Sequence, residues 1–125
     1  KLTEYQINDA KESLKIDEFV CLPEDLQKIW SNVEPSGNLD KNSLYNICHW
    51  IENIGTNGDF VLIQGDFGAT FFMVDFCFKN GFIPIYATTK RVSEEIPKSD
   101  GTIEKKQIFK HVGFRRYENY MEELR

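Results

Sequence analysis

Two short stretches of this chain carry residue types that handle anions. The first, Gln64-Gly65-Asp66-Phe67-Gly68-Ala69-Thr70, follows the apolar run Phe60-Val61-Leu62-Ile63. Glycine lets the backbone approach a ligand closely, and a helix beginning near Ala69 presents free N–H groups to an anion. Thr70 adds a hydroxyl. The spacing is neither a Walker A loop nor GxGxxG, and no lysine follows, so a plain tight turn accounts for the stretch equally well. The second stretch is Ala87-Thr88-Thr89-Lys90-Arg91. Here two hydroxyls orient a phosphate while two cations neutralise it. The bland alternative is a β-rich threonine pair followed by solvated cations.

Further cations follow: Lys105, Lys106, Lys110, Arg115 and Arg116, with His111 among them. His111 is a candidate acid or base because its ordinary pKa lies near neutrality, although a lone histidine in a hairpin is more often structural. His49, beside Trp50 in a helical pattern, reads as a packing histidine. No group of His, Cys, Asp and Glu has metal-ligand spacing, and no cofactor is implied. Two histidines do not specify a Ser-His-Asp set.

The elements that must position these residues follow from capping and periodicity. Thr3-Glu4-Tyr5-Gln6 reads as a capping box opening a helix over 4–14. Glu18–Leu22 reads as a buried strand, and Pro23 starts a helix whose core face holds Leu26, Ile29 and Trp30. A helix over 39–54 carries Leu44, Ile47, Cys48, Ile51 and Ile54 on one stripe, with Gly55 as its cap. Strands are expected over 60–63 and 82–87, separated by a helix from Ala69 to Lys79 that is apolar nearly all round. Such a helix is central or lies at a subunit interface, and its Asp75 needs a partner. Arg91–Ile96 and Ile103–Val112 flank an Asp100-Gly101 turn and read as a hairpin, extended by Phe114–Tyr117. The acidic tail reads as a short helix. The alternation predicts an α/β fold: a Rossmann-like, doubly wound, mostly parallel sheet flanked by helices, with a C-terminal β-hairpin. In such sheets ligands bind beyond the carboxyl ends of strands, where both candidate stretches would lie.

The 125 residues fit one domain over 1–125, large enough to fold without disulfides or metal. Cys21, Cys48 and Cys77 have no CxxC spacing and read as reduced core residues of a cytoplasmic protein. No apolar run approaches the roughly 18 residues of a membrane span, and the first residues lack a secretory apolar region. The net charge of −5 hides an asymmetry. Residues 1–82 hold six Lys/Arg against thirteen Asp/Glu, whereas residues 83–117 hold eight against four. One local electropositive site for an anionic ligand is expected, rather than a general nucleic-acid coat or stable DNA binding.

Four segments carry a resemblance: Glu18–Asn32 (EFVCLPEDLQKIWSN), Asp59–Thr70 (DFVLIQGDFGAT), Ile83–Arg91 (IPIYATTKR) and Phe109–Tyr117 (FKHVGFRRY). Together they resemble a small family of CRISPR-associated ancillary proteins of type III loci. The resemblance covers nearly the whole chain. It implies a CARF-type Rossmann-like domain, a homodimer, and ring nuclease activity on cyclic tetra-adenylate, cleaving RNA to switch off antiviral signalling. Sequences of that family begin with a strand just before the segment matching Lys1-Leu2-Thr3, so a further strand is expected upstream. The implied chemistry is metal-independent attack of a ribose 2′-hydroxyl on the adjacent phosphodiester. Lys90 and Arg91 would stabilise charge, and Thr89 with Thr88 would orient phosphate or hydroxyl. Gln64, Gly65, Asp66, Phe67, Gly68 and Thr70 would hold ribose or phosphate, with Phe67 stacking on adenine. His111, Arg115 and Arg116 would close the site or protonate the leaving group. Three alternatives use the same residues: a non-catalytic sponge or sensor, another phosphoesterase, and a linear nucleic-acid binder using Lys105 to Arg116.

Overall fold

The computed structural model describes residues 2–120. Its elements are α1 (Glu4–Ser13), α2 (Glu24–Ser31), α3 (Lys41–Ile54), β1 (Phe60–Leu62), α4 (Phe67–Lys79), β2 (Ile83–Pro97) and β3 (Ile103–Arg116). The strands form one sheet in the order β1-β2-β3. β1 runs parallel to β2, with Phe60 opposite Ile83 and Leu62 opposite Ile85. The chain divides into two compact units. Lys1–Asp17 with Ala87–Phe114 make a hairpin unit, and Glu18–Tyr86 with Arg115–Arg125 make a helical unit.

In the helical unit, the apolar stripe of α3 is buried as its spacing requires: Leu44, Ile47, Cys48 and Ile51 face inward. They meet Ala69, Met73, Val74 and Cys77 of α4, with Ile63 and Phe82 completing the cluster. Leu26, Ile29 and Trp30 pack against its edge. Asp40 caps α3, accepting from the Ser43 N–H at 3.3 Å. Ile54 departs from the expected stripe and is 49% exposed. Cys48 and Cys77 are buried, whereas Cys21 is exposed and is not the core residue its type suggested. Burial pushes the thiol of Cys48 up to about 11 and that of Cys77 up to about 12.

In the hairpin unit, the expected capping box is present. Thr3 Oγ1 accepts from the Gln6 N–H at 3.2 Å, and Gln6 Oε1 accepts from the Thr3 N–H at 3.0 Å. The turn of the hairpin closes through Lys98 N–H donating to Thr102 O at 2.8 Å. Gly101 there has φ +87°, a conformation that disfavours any side chain.

The doubly wound parallel sheet is not what this chain builds. Among the described residues, four helices accompany a small mixed sheet of three strands in which β1 and β2 pair in parallel. Two local expectations failed. Glu18–Leu22 is irregular rather than a strand, and Val20 is 60% exposed, so this apolar run adds no parallel strand. The segments 82–87 and 91–96 are one 15-residue strand, β2, in which only Pro84 and Ile85 are buried. Nothing between Tyr86 and Ile96 breaks extended backbone: the stretch has β-branched threonines and valine and neither glycine nor proline. The chain therefore runs straight into the hairpin instead of turning into another crossover helix. The expected extension of the second hairpin strand holds, since β3 continues to Arg116. The acidic tail lies largely outside the described residues, and 121–125 are not among them. Among the described residues, no helix is long and apolar enough to cross a membrane.

Candidate functional site

The β1–α4 connection belongs to the helical unit and is held from two sides. The Tyr117 hydroxyl donates to Ile63 O at 2.7 Å, and the indole Nε1–H of Trp30 donates to Gln64 O at 2.8 Å. Burial pushes the Tyr117 phenol up, favouring the neutral donor this bond needs. Gly65 is required by packing: a Cβ there would stand 2.9 Å from two atoms of the Trp30 indole. A Cβ on Gly68 would meet Asp66 and Leu39 only at ordinary contact distance.

Helix α4 begins at Phe67, earlier than Ala69, so Phe67, Gly68, Ala69 and Thr70 form its first turn rather than a loop before it. Its N-cap is Asp66, whose Oδ2 accepts from the Ala69 N–H at 3.0 Å. This end of the helix already holds a carboxylate of its own, which argues against a phosphate in the same place. Ala69 is fully buried, and the Thr70 hydroxyl is buried without a hydrogen-bond partner. Phe67 is 94% exposed and Phe71 78%. Asp75 has its partner, Lys79, at 2.8 Å on the exposed side of α4. Beside the connection lies an open depression of about 370 Å³, lined by Gln27, Trp30, Ser31, Val33, Gln64, Gly65 and Asp66. Arg115 and Arg116 belong to the same unit. Arg115 lies over Tyr86 and donates to its hydroxyl at 3.2 Å, and Arg116 lies over Phe60.

Thr88, Thr89, Lys90, Arg91 and His111 belong to the hairpin unit. The first four lie within β2, not in a loop. Thr88 is half-buried and donates its hydroxyl hydrogen to Gly113 O at 3.1 Å, whereas Thr89, Lys90 and Arg91 are exposed. Arg91 lies over the Phe109 ring, 5.2 Å from its centroid. Alternation along a strand puts Thr89 on the face of Arg91 and turns Lys90 to the other.

The best-built polar contact of this unit is one the sequence reading did not contain. His111 Nε2 lies 2.7 Å from Asp9 Oδ2, with the His111 side chain only 6% exposed. The ring is packed edge-on by Tyr5 at 5.8 Å and tilted against Phe114 at 4.9 Å. Its Nδ1 is buried without a partner. Asp9 also accepts from the Ser13 hydroxyl at 2.7 Å. That bond first, and the one to His111 second, hold its carboxyl below the usual carboxylate range. Tyr5, Asp9 and Ser13 are successive i, i+4 positions of α1, and only this spacing could have marked them as one face. His49, expected to pack, is exposed. No group of three or more His, Cys, Asp or Glu able to hold a metal exists among the described residues.

The chain belongs to the family described as the Uncharacterized protein MJ1673 family, which matches residues 1–115. It is similar to Uncharacterized protein MJ1673 of Methanocaldococcus jannaschii. The two are 49% identical over 120 residues, covering 96% of this chain and 92% of that protein. No solved structure matches the chain.

Proposed function

We propose that this chain is an ancillary ring nuclease of type III CRISPR defence, acting in the cytoplasm on cyclic tetra-adenylate. The observation that supports this most is that exposed Thr89 and Arg91 share one strand face, in the same unit as exposed Lys90 and a histidine held by a carboxylate. The resemblance of four segments to that class of protein supplies the ligand.

The reaction needs no activated water. A ribose 2′-oxygen attacks the neighbouring phosphorus, its proton leaves, and the bond from phosphorus to the 5′-oxygen breaks. A 2′,3′-cyclic phosphate and a protonated 5′-hydroxyl result. Arg91 offsets the negative charge that grows on the phosphoryl oxygens and Thr89, on the same strand face, orients them, while Lys90 on the opposite face adds only to the positive potential around the strand. The ligand has two-fold symmetry, which a C2 homodimer matches, and exposed Phe67 and Phe71 on α4 offer apolar surface for a second copy.

Incubation with cyclic tetra-adenylate in EDTA, followed by chromatography and mass spectrometry, tests the reading. Linear di-adenylate ending in a cyclic phosphate is the expected product. An intact ring that does not associate with the protein would sink it. A second reading, a sponge or sensor that binds the ring without cutting it, is favoured by the burial of His111 Nδ1, which leaves no open imidazole nitrogen. An intact ring that co-elutes with the protein would establish it.

A further inference from the structure

The depression beside the β1–α4 connection differs in chemistry from the cationic hairpin. Its lining has no lysine or arginine; it is an indole, two carboxamides, a hydroxyl and a carboxylate around a glycine and a valine. Such a surface does not suit a phosphate. It suits a flat, uncharged heterocycle that both donates and accepts hydrogen bonds. The volume of about 370 Å³ lies within the range of small-molecule sites. Two features pre-form it: the Trp30 indole is tied to Gln64 O, and the absence of a Cβ at Gly65 lets the backbone lie against the ring. Gln27, exposed on α2, donates to Ser31 Oγ at 2.8 Å, a bond a ligand can exchange for its own. A carboxamide offers the donor and acceptor pair that an adenine edge requires, and Asp66 can accept from an exocyclic amine.

We infer that this depression is a nucleoside site that takes a purine base carrying an exocyclic amine, with Trp30 as its aromatic wall and Gln27 and Asp66 reading the base edge. The choice of adenine rests on the reading given under Proposed function; the lining, volume and anchoring of the site do not. All seven lining residues belong to the helical unit.

The test is a titration of the full chain, followed by the indole N–H resonance of Trp30 and the side-chain amide of Gln27. Adenosine is expected to shift both saturably, while uridine, and inosine (which lacks the amine), bind more weakly. Gln27→Ala, an exposed substitution, is expected to weaken adenosine by about three- to tenfold, the effect of one net hydrogen bond. No shift with adenosine, or equal affinity for all three nucleosides, overturns the inference. If cyclic tetra-adenylate is cut while adenosine leaves Trp30 unmoved, the inference alone fails. If adenosine binds and the ring is neither bound nor cut, the ring nuclease reading alone fails.

Discussion

The β1–α4 connection and the middle of β2 both bring together small, hydroxyl-bearing and charged residues, yet the chain uses them in opposite ways. In the connection the polar groups that are tied down hold the fold. Two carbonyls accept from Trp30 and Tyr117, and Asp66 caps its helix. In β2, Thr89, Lys90 and Arg91 stand exposed along an extended strand, and only Thr88 is tied to the backbone. The first arrangement fixes a shape. The second displays charge. A glycine in a strand–turn–helix segment is therefore poor evidence of an anion site until the packing against it is known, whereas exposed cations on a rigid strand retain their electrostatic reach.

The contrast can be broken most strongly at Arg91. Arg91→Ala is expected to lower ring cleavage by about 10²- to 10³-fold, the scale of losing one charge-stabilising group, with the unfolding midpoint little changed, and Lys90→Ala, on the opposite face, to lower it far less. Loss of binding with an unaltered cleavage rate for bound ring would assign Arg91 to affinity instead. In the connection the effect moves to stability. Gly65→Val must displace the Trp30 indole and is expected to cost about 1–3 kcal/mol in urea unfolding. Next, Asp66→Ala removes a helix cap and is expected to cost about 1 kcal/mol, while Asp66→Asn restores most of it. Equal losses for both Asp66 variants would show that charge, not capping, matters there.

How legible this was in the sequence differs by level. The capping box at Thr3, the buried stripe of α3 and the hairpin turn at Asp100-Gly101 are local signals, and the chain obeys them. The sheet is not legible in the sequence because an apolar run such as Glu18–Leu22 looks the same whether or not a neighbouring strand exists to pair with it. Charged residues after an apolar strand, as in Thr88–Arg91, resemble a strand end. An exposed hairpin strand reads the same way. The Asp9–His111 contact joins residues 102 positions apart, and no spacing rule reaches that far.

That contact gives the next-smaller effect. Because the Asp9 carboxyl sits below its ordinary range when folded, it contributes stability at pH values above the ordinary carboxylate pKa. This contribution is lost as pH falls through the lowered value. Asp9→Asn should therefore flatten the acid limb of stability between roughly pH 5 and pH 2, measured by urea unfolding. An unchanged acid limb would show that Asp9 gains nothing from Ser13 and His111. The smallest effect belongs to the exposed pair on α4: Asp75→Asn is expected to change stability by no more than about 0.5 kcal/mol.

The three cysteines turn the molecule into its own stopwatch. A thiol reacts with alkylating reagents as the thiolate, so Cys48 and Cys77, raised and walled into the core, stay silent until that core opens. Exposed Cys21 labels at once and calibrates the reagent within the same sample. The lag between one modified sulfur and three, read by mass, therefore times the opening of the α3–α4 core without any engineered probe.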